Sequence, residues 1–321
     1  MKALITGIAG FYGHHLARYL QEKTDWEIIG IDKLDEGGSL DRLKEIKFKG
    51  KFFYHDLRSP ISDFLAEKIG RVNVIFHLAA LSHVDRSIVD PVGAVLDNVL
   101  GTTYILEFSR KYMPDKFIYF STDEVFGEKT IRKFKEDDVL NPRSPYSAGK
   151  AGGEMVTMAY HNTYKVPTII SRCMNIFGER QHPEKFIPKA IGLISQNKAV
   201  PIYCDNSGKK SGSRSYIYAD DVTRGLLIIL NKGKIGEKYN IEGMKEITNL
   251  KIAQIIAKRL GKKLTINKIA QDNVRPGNDF KYGVDGSLLR SFGFTLKQSK
   301  ISKINEMVDW CLKNRRWIKT K

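Results

Sequence analysis

Lys2-Ala3-Leu4-Ile5-Thr6-Gly7-Ile8-Ala9-Gly10-Phe11-Tyr12-Gly13 follows the initial methionine. Its first half is a short apolar run and reads as a strand; a helical pattern follows from about His14 to Glu22. Between them stand Gly7, Gly10 and Gly13, with Phe11 and Tyr12 in the same turn. Glycines at this spacing let the backbone approach a pyrophosphate, and the helix N-terminus then faces its negative charge. A glycine triplet alone is weak evidence, but here the strand–turn–helix context is present. Moving outward, Glu27 to Ile31 reads as a second strand ending at Asp32. A carboxylate there would accept hydrogen bonds from an adenosine ribose and favour NAD over NADP.

The alternation continues. Lys51 to His55 predicts a third strand, with Asp56 and Leu57 at its end, where an adenine would lie. Val72 to Ala80 predicts a fourth, ending in Leu78, Ala79 and Ala80, which permit close approach of a cofactor. A helix from about Pro91 to Lys111 carries Asn98, whose amide would bond a strand backbone or the cofactor. Lys116 to Phe120 and Thr168 to Arg172 add strands. Strands alternating with helices predict an α/β fold with a doubly wound parallel sheet. His77 and His83 have no partner at metal-ligand spacing and read as structural; no metal is expected.

Beyond Asn175 the pattern changes. Pro183, Pro188 and Pro201 punctuate the chain, Asn206 to Ser213 reads as a mobile loop, and Ser215 to Tyr218 returns to strand. Asp220 to Leu230 and Asn249 to Leu260 are helical by periodicity, and Arg275 to Asn278 reads as a turn. The expected division is a cofactor-binding domain over 1–175, joined by about 215–240, and a smaller mixed α/β substrate domain over 176–321.

Two stretches carry chemistry. Ser121-Thr122-Asp123-Glu124-Val125-Phe126-Gly127 follows a strand, which places its two carboxylates where open α/β sheets bind ligands. Adjacent carboxylates can serve as an acid/base pair if their surroundings split their pKa values. Tyr146-Ser147-Ala148-Gly149-Lys150 begins a helical pattern, so the phenol and the ammonium share a face. The nearby positive charge is expected to lower the Tyr146 pKa toward working pH and make it a base for a hydroxyl proton.

Composition narrows the class. The 321 residues hold no apolar run of membrane-spanning length, and the first residues read as a strand rather than a signal segment, so a cytoplasmic protein is expected. Three scattered cysteines, Cys173, Cys204 and Cys311, fit a reducing compartment. The net charge of +17 is unusual. Its basic residues are spread along the chain, which argues against a nucleic-acid groove, and a positive field also attracts a small anionic substrate.

With these motifs together, the chain resembles the extended short-chain dehydrogenases/reductases that modify nucleotide sugars. Within that group it is most similar to the dTDP-glucose and UDP-glucose 4,6-dehydratases. The resemblance rests on Thr6 to Gly13, Ser82-His83-Val84-Asp85-Arg86-Ser87, Ser121 to Gly127, Tyr146 to Lys150, Pro183-Glu184-Lys185 and Arg275-Pro276-Gly277. It implies a Rossmann-type fold, tightly bound NAD, a nucleotide diphosphate hexose as substrate, and a homodimer paired through two helices of each subunit, here about Pro91–Lys111 and Ser147–Tyr164. The Thr122-Asp123-Glu124 triplet is its most specific part.

The implied mechanism has Tyr146 taking the 4-hydroxyl proton while C4 gives hydride to NAD, with Thr122 hydrogen-bonding that oxygen and Lys150 supporting the phenol. Glu124 takes the C5 proton, protonated Asp123 gives its proton to the departing 6-hydroxyl, and hydride returns to C6. Substrate contacts carried over are Ser82, Thr122, Asn175, Lys185, Arg214, Arg275 and Asn278. Phe126, Asp97, Leu81, Lys245, Val274 and a longer loop before Arg214 depart from the pattern, mostly in the nucleotide half; thymidine, uridine and guanosine stay open. A 4-epimerase or a UDP-glucuronate decarboxylase of the same fold is the alternative, and a non-catalytic NAD- or RNA-binding protein is the alternative of another class.

Overall fold

The computed structural model describes residues 1–128, 132–205, 207–270, 281, 283–297 and 299–319. Six strands come first: β1 (Lys2–Thr6), β2 (Glu27–Asp32), β3 (Lys51–Tyr54), β4 (Val74–His77), β5 (Lys116–Thr122) and β6 (Thr168–Cys173). Then follow β7 (Asn175–Phe177), β8 (Val200–Cys204), β9 (Ser213–Arg214), β10 (Tyr216–Tyr218), β11 (Lys238–Ile241), β12 (Ile247–Thr248) and β13 (Ile266–Ala270). The first six join β11 in one parallel sheet of order β11-β6-β5-β4-β1-β2-β3. The order reverses between β1 and β4, and a crevice opens there at the carboxyl ends of the strands.

Alternation along each strand feeds two cores. Val74, Phe76 and Ile118 point toward Leu16 and Leu20 of helix Phe11–Lys23 and Leu226 of helix Ala219–Lys232. Ile75 and Phe117 point the other way, toward Ile105 and Leu106 of helix Gly101–Tyr112. A strand buried on both faces reads as a continuous apolar run, as these do. A third core gathers Ile187 and Ile191, Ile202, Ile252 and Ile256, and Val308 and Cys311 around the short pairs β8–β13, β9–β12 and β7–β10. Helix Ser287–Ser291 and the segment that follows it return to the first core through Leu289 and Phe294 respectively.

Three expectations change. The fourth strand stops at His77 instead of Ala80, because the Thr6 hydroxyl draws the backbone N–H groups of Leu78 and Ala79 out of the ladder (3.1 Å each). The helix expected from Pro91 to Lys111 is divided into Pro91–Val95, a π-helical turn Leu96–Leu100, and Gly101–Tyr112. The wider turn rotates Asn98 onto the strand loop described below; π turns often stand at functional sites. The third is the loop expected from Asn206 to Ser213: its last residue already belongs to β9, and Ser211 pairs with Cys204 in an isolated antiparallel β-bridge.

Candidate active site

A cavity of about 450 Å³ runs along the crevice from the Gly7–Gly13 turn to β8 and β10. At one end the glycines shape the backbone. Gly7 sits at φ +70, and a Cβ there would lie 2.9 Å from the Ala79 backbone. A Cβ on Gly13 would lie 2.1 Å from the Gly7 carbonyl oxygen, so the helix could not start so close to β1. Asp32 accepts from the Ala9 N–H (2.9 Å) and the Leu34 N–H (2.8 Å). Burial raises its pKa, and these two bonds oppose the rise. A carboxylate has about four lone-pair sites, so acceptor capacity is left for ribose hydroxyls. Asp56 and Leu57 line the same end, beside the pairs Arg58–Asp56 and Lys33–Asp97.

Asp123 and Glu124 stand where β5 breaks. Val125 and Phe126 are buried, and Phe126 stacks on Phe134 with centroids 4.9 Å apart. Gly127 at φ +74 then turns the chain away, and the Asn141 N–H donates to the Val125 carbonyl (3.0 Å). These anchors hold Asp123–Phe126 in a 3₁₀ turn whose carboxylates face the cavity. The Thr122 hydroxyl donates to Asp123 Oδ1 (3.2 Å) and accepts from the Glu124 N–H (3.3 Å). Asp123 is only 3% exposed, and its Oδ2 has no hydrogen-bond partner among the described residues. Burial, with the Glu124 charge beside it, pushes the Asp123 carboxyl up to about 8.

Tyr146 and Lys150 enter from helix Pro145–Tyr164. Ser144 and Ser147 form a capping box at its start, and the Tyr146 N–H donates to Ser87 Oγ (3.1 Å). The helix sits close because its glycines are small. A Cβ on Gly149 would lie 2.9 Å from the Ala94 carbonyl, and one on Gly153 2.2 Å from the Tyr119 hydroxyl. Lys150 Nζ lies 4.3 Å from the Tyr119 ring centroid, in cation–π range. One turn on, Glu154 binds buried Arg172 through three contacts of 2.7–3.2 Å.

The electrostatics of this pair differ from the sequence reading. Burial raises the Tyr146 phenol well above its ordinary value, and the Glu124 charge adds to the rise; only Thr122 opposes them. Burial also drops Lys150 to about 7, offset in part by Glu154. A phenolate is therefore not the resting state of Tyr146: the desolvation of both groups outweighs the attraction expected from their spacing.

Of the sequence-derived site residues, the cavity wall brings together Gly7, Gly10, Phe11, Tyr12, Gly13, Asp32, Asp56, Leu57 and Leu78 to Ala80. It also holds Ser82, Thr122 to Glu124, Tyr146, Lys150, Asn175, Lys185 and Arg214. Asn98 is a correction. It is buried off the wall, its Oδ1 accepting from the Leu81 N–H (2.8 Å) and its Nδ2 donating to the Leu81 carbonyl (3.1 Å), so it holds the loop instead of facing a cofactor. Arg275 and Asn278 lie outside the described residues. His83 lines the cavity 3.3 Å from Glu184, while His77 is buried between Thr6 and Thr102. Sequence reasoning missed Arg42, Tyr203, Tyr216 and Asn249 on the wall. None lies in a motif; their placement comes from segments folded back from afar.

The fit to a dinucleotide rests on the glycine cradle and buried Asp32. The remaining wall offers buried oxygens on Ser121, Asp123 and Asn175 that have no hydrogen-bond partner among the described residues, suited to a polar ligand.

Comparison with known proteins agrees in direction. The family model described as GDP-mannose 4,6 dehydratase matches residues 4–315. A dTDP-glucose 4,6-dehydratase of Escherichia coli is 33% identical over 99% of this chain and 94% of its own length. A dTDP-D-glucose 4,6-dehydratase of Dictyostelium discoideum is 42% identical over 79% of this chain, which spans 61% of that longer relative. The crystal structure of a dTDP-glucose 4,6-dehydratase from Streptomyces venezuelae with NAD bound superposes with a TM-score of 0.91 and 33% identity, over 99% of this chain and 98% of that one. By fold, crevice and sequence, the chain belongs to the GDP-mannose 4,6-dehydratase family, among the extended short-chain dehydrogenases/reductases that act on nucleotide sugars.

Proposed function

We propose that the protein is an NAD-dependent nucleotide-sugar 4,6-dehydratase, converting a nucleotide diphosphate hexose to its 4-keto-6-deoxy form. The observation that carries this reading is Asp123: a buried carboxyl, unpartnered on one oxygen among the described residues and raised to about 8, beside Glu124 in the cavity that also holds Tyr146. A 4-epimerase or a decarboxylase expels no hydroxyl from C6 and needs no such acid. NAD, when bound, supplies the reversible oxidation and reduction of the sugar carbons. Gly7, Gly10, Gly13 and Asp32 would hold its pyrophosphate and ribose.

The chain's own groups move the protons. Tyr146 takes the proton of the 4-hydroxyl while its own phenol proton passes on toward Lys150, which burial lowers to about 7 and so leaves partly neutral; Thr122 is hydrogen-bonded to the same sugar oxygen. The 4-ketone acidifies C5, and Glu124 takes the C5 proton. Asp123 donates to the departing 6-hydroxyl, which leaves as water. Burial suits Asp123 to this task, since it keeps a proton on a carboxyl at neutral pH. Ser82 and Asn175 would orient the hexose, and Lys185 and Arg214 would meet the diphosphate. The same roles extend by resemblance to Arg275 and Asn278. In this reading 1–175, with 215–240, serves NAD, and 176–321 mainly serves the nucleotide.

A panel of dTDP-, UDP- and GDP-hexoses tests the reading. At least one is expected to give the 4-keto product, detected by its ultraviolet absorbance after alkali; turnover of none, or epimerisation alone, would sink it.

We further propose a cytoplasmic homodimer. All three cysteines are free and buried, and among the described residues no helix is long and apolar enough to cross a membrane. Val92, Val95 and Met155 are about half exposed or more, on the helices expected to pair. Light scattering at micromolar concentration should give the mass of two chains; a single-chain mass would refute the pairing.

A further inference from the structure

We propose that Arg42 positions the backbone of the cofactor cleft, and that Trp317 holds Arg42 in place, so that the Arg315–Ile318 turn sets the affinity for NAD. The inference rests on the NAD reading of the cleft.

Arg42 lies on the short helix Leu40–Glu45, lines the cavity and is 2% exposed. Its guanidinium donates to three backbone carbonyls. Nη1 reaches Ala9 (2.9 Å), in the glycine turn, and Gly37 (2.7 Å), in the loop after Asp32; Nε reaches Arg180 (3.0 Å), beyond β7. One side chain thus ties both cofactor-facing loops to the second half of the molecule. A planar fork of donors can do this; a lysine cannot.

What holds the fork is far away in sequence. The Arg42 guanidinium lies 5.1 Å from the Trp317 ring centroid. Trp317 Nε1 donates to Glu45 Oε1 (3.0 Å), and Glu45 also binds Arg180 and Arg316. Arg180 in turn packs on Trp310, 5.2 Å away. Trp317 is 8% exposed, so its stack with Arg42 is largely desolvated, where cation–π contacts are strongest. The guanidinium is buried beside another arginine, and the indole face and backbone carbonyls offset that cost. Without the indole, Arg42 is free to leave the Ala9 and Gly37 carbonyls, and the two loops lose their common tether.

The test is calorimetric titration with NAD of the full-length protein, first freed of any NAD carried through isolation, alongside the KM for the sugar nucleotide at saturating NAD. Trp317→Ala is expected to weaken NAD binding about tenfold, and Trp317→Phe, which keeps an aromatic face, by no more than about twofold. The sugar-nucleotide KM should stay within about twofold in both, because a merely structural defect would move the two affinities together. Glu45→Gln, which leaves the indole in place, should show a smaller loss of about threefold, and it carries the test if Trp317→Ala does not fold. Wild-type NAD affinity in Trp317→Ala, or in Glu45→Gln where that variant stands in, or equal losses in the Ala and Phe variants, would overturn the inference. A wild-type protein that binds no NAD would overturn the cofactor reading itself and this inference with it.

Discussion

Asp123→Asn is expected to cut turnover roughly a thousandfold, the scale of losing a general acid, while stabilising the protein at neutral pH. The two effects have one cause. Asparagine keeps the shape but has no proton to give, so oxidation at C4 still proceeds and water loss stalls. In rapid-mixing experiments the absorbance of reduced nicotinamide should therefore rise and persist.

The stability change follows from linkage. The unfolded carboxyl titrates near 3.8 and the folded one near 8. A pKa raised on folding contributes stability that is complete below about 3.8 and declines as pH rises to about 8. Asparagine removes that decline, so the Tm of the variant should exceed wild type at pH 7 and converge with it as pH falls toward 4. The wild-type rate should also fall above about pH 8, where Asp123 gives up its proton. Turnover at the wild-type rate, or a lowered Tm at neutral pH, would dispose of the acid role.

Tyr146→Phe should also lower turnover about a thousandfold, but at the other end of the reaction. With the proton acceptor for the 4-hydroxyl gone, oxidation at C4 does not begin, and reduced nicotinamide should not accumulate. Substrate binding should change little, since the diphosphate is held by Lys185 and Arg214 in this reading and the ring stays in place. The contrast between the two variants separates the oxidising step from the eliminating one. Reduced nicotinamide forming at the wild-type rate in Tyr146→Phe would remove Tyr146 as the base. The resting phenol is protonated, held up by burial and by Glu124. Tyr146 therefore acts as a relay and does not wait as a phenolate: its own proton passes toward Lys150, partly neutral at about 7, as the 4-hydroxyl proton arrives.

The strand runs were legible because a strand buried on both faces must be apolar throughout. Leu4, Ile75, Phe76 and Phe117 could hardly be read otherwise. The Gly7–Gly13 turn was legible because close backbone approach excludes a Cβ, and the structure gives clashes at 2.1 and 2.9 Å. Less was legible at Asn98. Its amide was assigned to a strand backbone or a cofactor, and the choice depended on a π turn that no periodicity announces. Arg42 left no signal at all. On a short helix it resembles any solvated cation until Trp317 covers it.

The sequence by itself determined which groups stand at the strand ends, Asp123 and Glu124 after β5 and Tyr146 with Lys150 at the start of a helix. Those placements depend on near neighbours in the chain. Only the tertiary structure decided how these groups ionise and what braces the walls around them. A pKa is set by what excludes water and which charges lie close, and those neighbours arrive from other segments: Glu124 beside Tyr146, the Tyr119 ring against Lys150, Trp317 upon Arg42.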